Sequence, residues 1–556
     1  MTPRDPIAIL PTHEVFNVPI DIGDQDLWAD DLALREWAGR LGGPSIISHL
    51  AATGKVFGAA EVFEKADQAN RHGPELRAFD RQGMRINQVE FHPAYHDLMR
   101  LAVSQKVHNF PWAHGGAGGH VGMAALTYMF SQPEGGVMCP MSMTYSVVPA
   151  LRAAPGVADE WMPRILSTDY DPRDIPAGEK TGALFGMFMT EKQGGSDVRA
   201  ISTTATPIGT ATGMGADYRL HGHKFFCSAP MCDAFLVLAR TAGQDLSCFL
   251  VPRWRPDGSR NALFIQRIKD KLGNRSNATV EMEFSDVHGR MVGDEGRGIR
   301  TIIDMVTGNR MTCAASSAGL MRQALRQALH HTRHRSAFQR RLVDQPLMRA
   351  VLADMAIEVE AALALALRVA GAMDNAEKDA DAQSIARVGT ALAKYWNCKR
   401  APSLVAEALE CHGGSGYIEE SIMPRLYREA PVNSIWEGSG NVLALDILRA
   451  LTRTPETLSA VFKELEQARG YNGFLDRAID DLRADLAMKD GQEGRMRDIG
   501  CKMALTLQGA LLCQGSAEVA DAFCASRLAG RYGGMFGALP QGCALDDIIE
   551  RIAPES

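Results

Sequence analysis

HKFFCSAPMCDAFLVLARTAGQDLSCFLVP, residues 223–252, decides the fold. It contains three short runs, HKFFC, AFLVLA and SCFLVP, rich in β-branched and aromatic residues and separated by turn formers, which is the pattern of successive strands. Similar runs extend on both sides, with LFGMFM starting at Leu184, LFIQRI at Leu263 and TVEMEF at Thr279. Gly213, Gly215, Asp257, Gly258 and Asn274 punctuate them. No helix-length segment separates the runs, so the spacing predicts an antiparallel sheet or small barrel over residues 182–297 rather than βαβ units.

On both flanks the period changes to that of a helix. Leu27, Leu34 and Trp37 begin a helical region over 1–181, broken by Gly/Pro joints, and Leu347, Val351, Met355 and Val359 share one face of a second over 298–453. A helix near 389–412 ends at Gly413–Gly414, as a glycine C-cap would end it. Helical spacing through Leu482, Leu486, Met503 and Leu507 marks an extra helical domain over 454–556, with a Gly-rich tail RYGGMFGALPQG. The expected architecture is multidomain α+β: a helical N-domain, a central antiparallel β domain, a C-terminal helical bundle and an additional helical domain.

Composition narrows the function classes. A chain of 556 residues is too long for one core. Its longest apolar runs fall well short of the roughly 18 residues that span a bilayer, and MTPRDPIAIL has no basic leader before an apolar segment, so a cytoplasmic protein is expected. The 11 cysteines form no CxxC pair and are odd in number, which argues against a disulfide framework or a zinc site, and no metal is expected. A net charge of −7 gives no general attraction to nucleic acid.

The chemistry centres on PVNSIWEGSGN, residues 431–441. Glu437 stands beside the bulky Trp436, and an acid shielded from water has its pKa raised toward that of a general base near neutrality. Gly438, Ser439 and Gly440 let a ligand approach, and Asn441 adds a donor and an acceptor. Taken alone, the stretch reads first as a helix C-cap or tight turn with a surface glutamate. HGGAGGHVGM at 114–123 lacks both GxGxxG spacing and a preceding strand, and is read as a turn or a small-residue helix contact.

Several motifs in order resemble the acyl-CoA dehydrogenase family. MTEKQGGSDV from Met189 resembles its flavin-binding loop, with Met189, Thr190, Gly195 and Ser196 as cofactor contacts. HKFFCS resembles the following strand, placing Phe226 over the flavin ring and Ser228 against it. RSAFQRRLVDQPLMR resembles the segment that reaches the adenosine diphosphate half of a neighbouring subunit's flavin. The resemblance gives this role to Arg335 and Phe338, with Gln345 nearby; Gln339 replaces the usual glycine. CHGGSGYIEESIMPRLYREAPVNSIWEGSGN resembles the closing pattern, with Gly413 and Gly414 by the flavin, Glu437 as the α-proton base, and Trp436, Ser439 and Asn441 as cofactor contacts. Glu410 stands where a glutamine is common. Some members carry the base instead at the position of Asn309, whose amide cannot take a proton.

HEVFNVPI, CPMSMTYS, KDKLGNRSNA and the C-terminal extension narrow the resemblance to the alkylation-response, AidB-like branch of the family. It implies FAD, a homotetramer, an acyl-CoA thioester or related small molecule as substrate, and α,β-dehydrogenation with Glu437 taking the proton. Two rivals share the fold: a flavoprotein whose role is DNA binding or protection, with a little-used active site, and a flavin oxidase. For DNA, residues 454–556 hold 11 Lys and Arg against 16 Asp and Glu, a poor footprint on phosphates. The densest basic run is HHTRHRSAFQRRLVDQPLMR, including His330, His331, Arg333, His334, Arg335, Arg340 and Arg341, and it predicts weak, salt-sensitive duplex binding at most.

Overall fold

The computed structural model describes residues 6–243, 245–531 and 534–552. The first half of the stretch MTPRDPIAIL, and Tyr532 and Gly533 of the Gly-rich tail, lie outside the described residues.

The N-terminal region consists of α1 (Leu32–Gly42), α2 (Ile47–Phe57), α3 (Ala60–Arg71), a hairpin of β1 (Glu75–Phe79) and β2 (Arg85–Glu90), then α4 (Pro93–Ser104), α5 (Phe110–His114), α6 (Gly119–Phe130), α7 (Met138–Arg152) and α8 (Pro155–Ile165). The hairpin departs from the mostly helical expectation. Its strands ELRAF and RINQVE are half polar and open to solvent on one side, so they carry no apolar run to announce them.

The central region contains β3 (Phe185–Phe188), β4 (Thr204–Pro207), β5 (Asp217–Ser228), β6 (Ala234–Arg240), β7 (Leu246–Pro252), β8 (Leu263–Ile268) and β9 (Thr279–Val292). The pairings β4–β5, β5–β9, β9–β7, β7–β6 and β6–β4 close a ring, so this is a small barrel, with β3 added on β6 and β8 on β9. It is largely antiparallel as expected, except that β6 runs parallel to both β3 and β4. β6, AFLVLAR, is buried at six successive residues because neighbours cover both of its faces, and for that reason its sequence is a continuous apolar run.

Three long helices form the C-terminal bundle: α9 (Gly298–His334), α10 (Pro346–Asn375) and α11 (Ala380–Glu410). A two-residue hairpin, β10 (Ser336–Ala337) and β11 (Arg340–Arg341), joins the first two. α12 (Gly414–Tyr417), α13 (Met423–Glu429) and α14 (Gly440–Arg453) complete the unit. The middle of α9 is rich in small residues, which lets α6 approach closely; a Cβ on Gly319 would lie 2.3 Å from the Tyr128 carbonyl oxygen. The C-terminal segment comprises α15 (Pro455–Glu466), α16 (Gly473–Ala487), α17 (Gln492–Leu512), α18 (Ala517–Phe523) and α19 (Leu545–Ile552), and packs against α10 and α11.

Buried ions lock these regions together. Arg322 on α9 pairs with Asp31 at 2.8 Å, with both side chains almost fully enclosed. The same Asp31 caps α1 through the Leu34 N–H and accepts from the Tyr128 hydroxyl. Removing one partner of such a pair strands the other's charge, so Arg322→Ala is expected to cost about 3–5 kcal/mol. A thermal melt of the variant that matches the native protein would show the pair to be dispensable. Arg527, in the π-helical turn Cys524–Leu528 that follows α18, likewise pairs with Asp354 and Glu358 of α10.

Candidate active site

Glu437 lies in the turn between α13 and α14 at φ +55°, a left-handed conformation that is rare for a residue with a long side chain. Three cationic contacts hold the turn in place. Lys394 Nζ of α11 donates to the carbonyls of Trp436 and Gly438, both at 2.5 Å, and Arg310 Nε of α9 donates to that of Glu437 at 2.9 Å. Arg310 is itself held by Asp446, which Arg387 also grips. Gly438, at φ +99°, admits this packing because its missing Cβ leaves room for Arg310 and Val442. With these carbonyls occupied, the Glu437 N–H makes no hydrogen bond among the described residues.

Glu437 as a residue is half-buried. Burial raises its pKa, and the Lys394 and Arg310 cations and the Asn309 amide, 3.4 Å away, only partly offset the rise. Asn309 lies on α9, and its buried Oδ1 has no partner among the described residues. Lys394 and Arg310 escaped the sequence reading because a lone cation on a helix has many ordinary explanations. Arg310 had one signal: it directly follows Asn309 in GNRM.

The barrel carries the residues read from its motifs. The Phe225 N–H donates to the Thr190 carbonyl, which brings the MTEKQGGSDV loop against β5. A Cβ on Gly195 would lie 3.3 Å from Thr190 Cγ2, so the loop folds back tightly on itself. Glu191 ties the loop down by accepting from Ser202, Thr203 and Gln193 and by pairing with fully buried Lys224 at 2.8 Å. Burial alone would raise the Glu191 pKa, but Lys224 and these hydrogen bonds bring it to about 2. A depressed carboxyl stabilises the fold above its unfolded pKa, so this anchor is expected to weaken as pH falls from about 4 toward 2. Proteolysis of the loop at successive acid pH values measures it. Phe226 is 52 % exposed, unusual for a large apolar ring on a barrel strand. Ser228 faces Thr279 at 3.1 Å.

Cys139, at the start of α7, is a buried thiol near Ser228 and Glu437, and burial drives its pKa up to about 12. A cavity of about 290 Å³ opens beside Pro140 and Ala229, lined by Tyr95 and Met99 and also by the charged Asp174, Lys180, Asp233 and Arg253.

The remaining predicted residues collect elsewhere. Arg335 and Phe338 sit past the end of α9, and the helix from Asn309 to His334 spans roughly 38 Å at its standard rise. Gly413 and Gly414 are exposed beyond the end of α11, whose last turns lie beside α9: the His331 and His412 rings are 4.7 Å apart. Thus Gly413 and Gly414 group with Arg335, and not with Glu437. Gln345 Nε2 donates to the Ala337 carbonyl of the hairpin. Trp436 Nε1 is held by Asn433, Ser439 begins α14, and Asn441 accepts from Arg497 of the C-terminal segment.

The basic run is less cationic than its composition. Burial, then His412, Arg335 and His330, lower the His331 pKa to about 4, and Arg341 pairs with Asp344. Among the described residues no cluster of three or more His, Cys, Asp or Glu could hold a metal, and no helix is long and apolar enough to cross a membrane.

A central β domain between helical N- and C-terminal regions is the layout of the acyl-CoA dehydrogenase fold. Residues 17–172 match the AidB N-terminal domain of adaptive response proteins, 186–287 the acyl-CoA dehydrogenase middle domain and 296–452 its C-terminal domain. The "Putative acyl-CoA dehydrogenase AidB" of Escherichia coli (strain K12) is 43% identical over 94% of this chain and 95% of its own. Acyl-CoA dehydrogenase family member 11 of Caenorhabditis elegans is 32% identical over 80% of this chain and 73% of its own. The crystal structure of C. elegans ACDH-11 in complex with C11-CoA superposes with a TM-score of 0.84 at 27% identity, covering 100% of this chain and 97% of that one. A Bacillus anthracis acyl-CoA dehydrogenase complexed with FAD shares the fold, with a TM-score of 0.67 at 18% identity, covering 93% of this chain and 90% of its own. The chain therefore belongs to the acyl-CoA dehydrogenase family of oxidoreductases. Within it, the chain is similar along nearly its whole length to AidB.

Proposed function

We propose that the protein dehydrogenates an acyl-CoA thioester between its α and β carbons, with Glu437 as the base. The observation that carries this reading is the clamped turn, which holds a carboxyl with a raised pKa beside an N–H that has no partner. The cofactor is FAD, and when bound it accepts the β-hydrogen as hydride. The residues facing it suit a flat, partly apolar ring: half-exposed Phe226, the Ser228 hydroxyl, Met189 and the Thr190–Ser196 loop. Glu437 takes the α-proton, and its own N–H donates to the thioester carbonyl as negative charge develops on that oxygen. Burial keeps the Cys139 thiol neutral and unreactive beside the site. Arg335, Phe338, Gln345, Gly413 and Gly414 serve the flavin of a neighbouring subunit in a homotetramer. Anaerobic mixing of the yellow protein with a panel of acyl-CoAs, C11-CoA included, tests the reading. Bleaching of the flavin is expected, and no bleaching with any member of the panel would refute it.

A role on DNA is secondary. Arg340 and Arg341 are exposed on the α9–α10 hairpin, and four copies in a tetramer add avidity to a weak patch. Duplex binding is expected to be weak, independent of sequence and nearly gone at physiological salt. Fluorescence anisotropy that showed tight or sequence-selective binding, or binding that survives Arg340→Glu with Arg341→Glu, would rule this patch out.

A further inference from the structure

Lys271 is a half-buried lysine that the reaction outlined above leaves without a task. It lies in the loop between β8 and β9, and the structure records no carboxylate ion pair for it among the described residues. Its Nζ donates to the Asn277 carbonyl at 2.6 Å and to Thr279 Oγ1 at 3.0 Å, with Asn274 Oδ1 at 3.4 Å. Thr279 is the cross-strand partner of Ser228, and their hydroxyls are 3.1 Å apart. A continuous line of hydrogen bonds therefore joins the amine to the hydroxyl that faces the flavin position.

The loop that carries Lys271 is pinned from two other regions. Glu429 of α13 accepts from the Asn274 backbone N–H at 2.5 Å and from its side-chain amide at 3.3 Å, which fixes Asn274 at φ +54°. Glu134, from the N-terminal region, accepts from Ser276 at 2.8 Å. A Cβ on Gly273 would lie 2.2 Å from the Arg428 carbonyl oxygen, so the loop cannot shift. Two charged or titratable groups act on the amine from the elements packed around it, the Cys139 thiol of α7 and the Glu429 carboxylate of α13. Burial outweighs both and lowers its pKa to about 8. If the loop needed only a brace, an amide or hydroxyl would supply these hydrogen bonds without the cost of enclosing a charge.

We propose that Lys271 tunes the flavin, its ammonium charge acting through Thr279 and Ser228 to stabilise the reduced cofactor. This rests on the reading that Ser228 contacts the flavin. Reduction by substrate delivers two electrons and one proton to the flavin, hence one net negative charge, while the α-proton stays on Glu437. A fixed cation at one end of a polarised hydrogen-bond line favours that product over the oxidised form. Lys271 is a positioning residue here, because it acts on the cofactor only through Thr279 and Ser228.

The test is the flavin midpoint potential, measured by equilibration with a reference dye and without acyl-CoA, so that it does not depend on whether the protein is a dehydrogenase. Lys271→Met is expected to shift the dye equilibrium at least tenfold toward oxidised flavin, about 30 mV for a two-electron couple. Lys271→Arg, which keeps the charge, should stay close to the native value. Thr279→Val should shift the potential in the same direction as Lys271→Met by a smaller amount, and it decides the matter if the methionine variant fails to retain FAD. The native potential is also expected to change its pH slope near pH 8, a break that Lys271→Met removes. A native potential in Thr279→Val, or in a Lys271→Met protein that retains FAD, would overturn the proposal. Acyl-CoA reduction is assayed separately, so a failed dehydrogenase reading and a failed lysine proposal give different results.

Discussion

Glu437→Gln is expected to keep FAD and its yellow colour while losing reduction by acyl-CoA, a fall of about 10²–10⁴ in rate, or roughly 3–5 kcal/mol of barrier. Glutamine matches the shape of the side chain and leaves the Lys394 and Arg310 clamp on the backbone carbonyls untouched, so the turn should persist. What it cannot do is accept the α-proton. Stopped-flow reduction under anaerobic conditions measures the loss, and an unchanged rate would move the base elsewhere. The pH profile supplies a second check. Only the ionised base works, so native reduction should speed up as pH climbs through the raised Glu437 pKa. The folded state binds that proton more tightly than the unfolded chain, so stability should decline over the same rise in pH. Both dependences should vanish in the glutamine variant. A buried base that lowers the stability of the fold in its active form is the usual conflict between stability and activity.

How far the sequence discloses this site depends on whether burial leaves a pattern in the chain. β6 and β7 are covered on both faces and read as uninterrupted apolar runs, so the barrel is legible. The β1–β2 hairpin alternates charged and apolar residues at half burial, and helical expectation covered it. The local sequence WEGSGN marks Glu437 only as a candidate, and it is the resemblance of the surrounding motifs that sets it apart from an ordinary turn glutamate. The groups that strain and hold it leave no such mark. Lys394 and Arg310 lie far from it in sequence and reach it only once α9 and α11 pack side by side. The same packing separates groups that the chain places close together. Gly413 and Glu437 are near neighbours in sequence, yet α11 carries the first away from the level of Lys394 by roughly 24 Å. The residues that the resemblance assigns to flavin contact therefore fall at two ends of the bundle.

Those two ends give the second large effect: Arg335→Ala is expected to weaken FAD binding roughly ten- to a hundredfold, the worth of a hydrogen bond to a charged group. The Arg335 group lies some 38 Å along α9 from Asn309, too far for one cofactor to touch both that group and Glu437 of the same chain. Phe338, at the tip of the hairpin, is 93 % exposed and held at φ +53°, and burying such a ring against another subunit is worth about 1.5–3 kcal/mol. Asn17 latches the hairpin, accepting from Arg335 Nη1 and from the Ser336 N–H, so the hairpin is presented in a fixed pose rather than left to find one. Light scattering is expected to show a homotetramer, and a monomer with full FAD would end the argument. A mixing experiment goes further. Glu437→Gln subunits lack the base but retain Arg335, and Arg335→Ala subunits lack the arginine but retain the base. Neither protein should be reduced efficiently by acyl-CoA at limiting FAD. If each flavin is shared between subunits, tetramers reassembled from both will contain sites that pair an intact Glu437 with an intact Arg335, and bleaching will return in those sites alone. If both residues serve the flavin of their own chain, every site remains defective and mixing restores nothing.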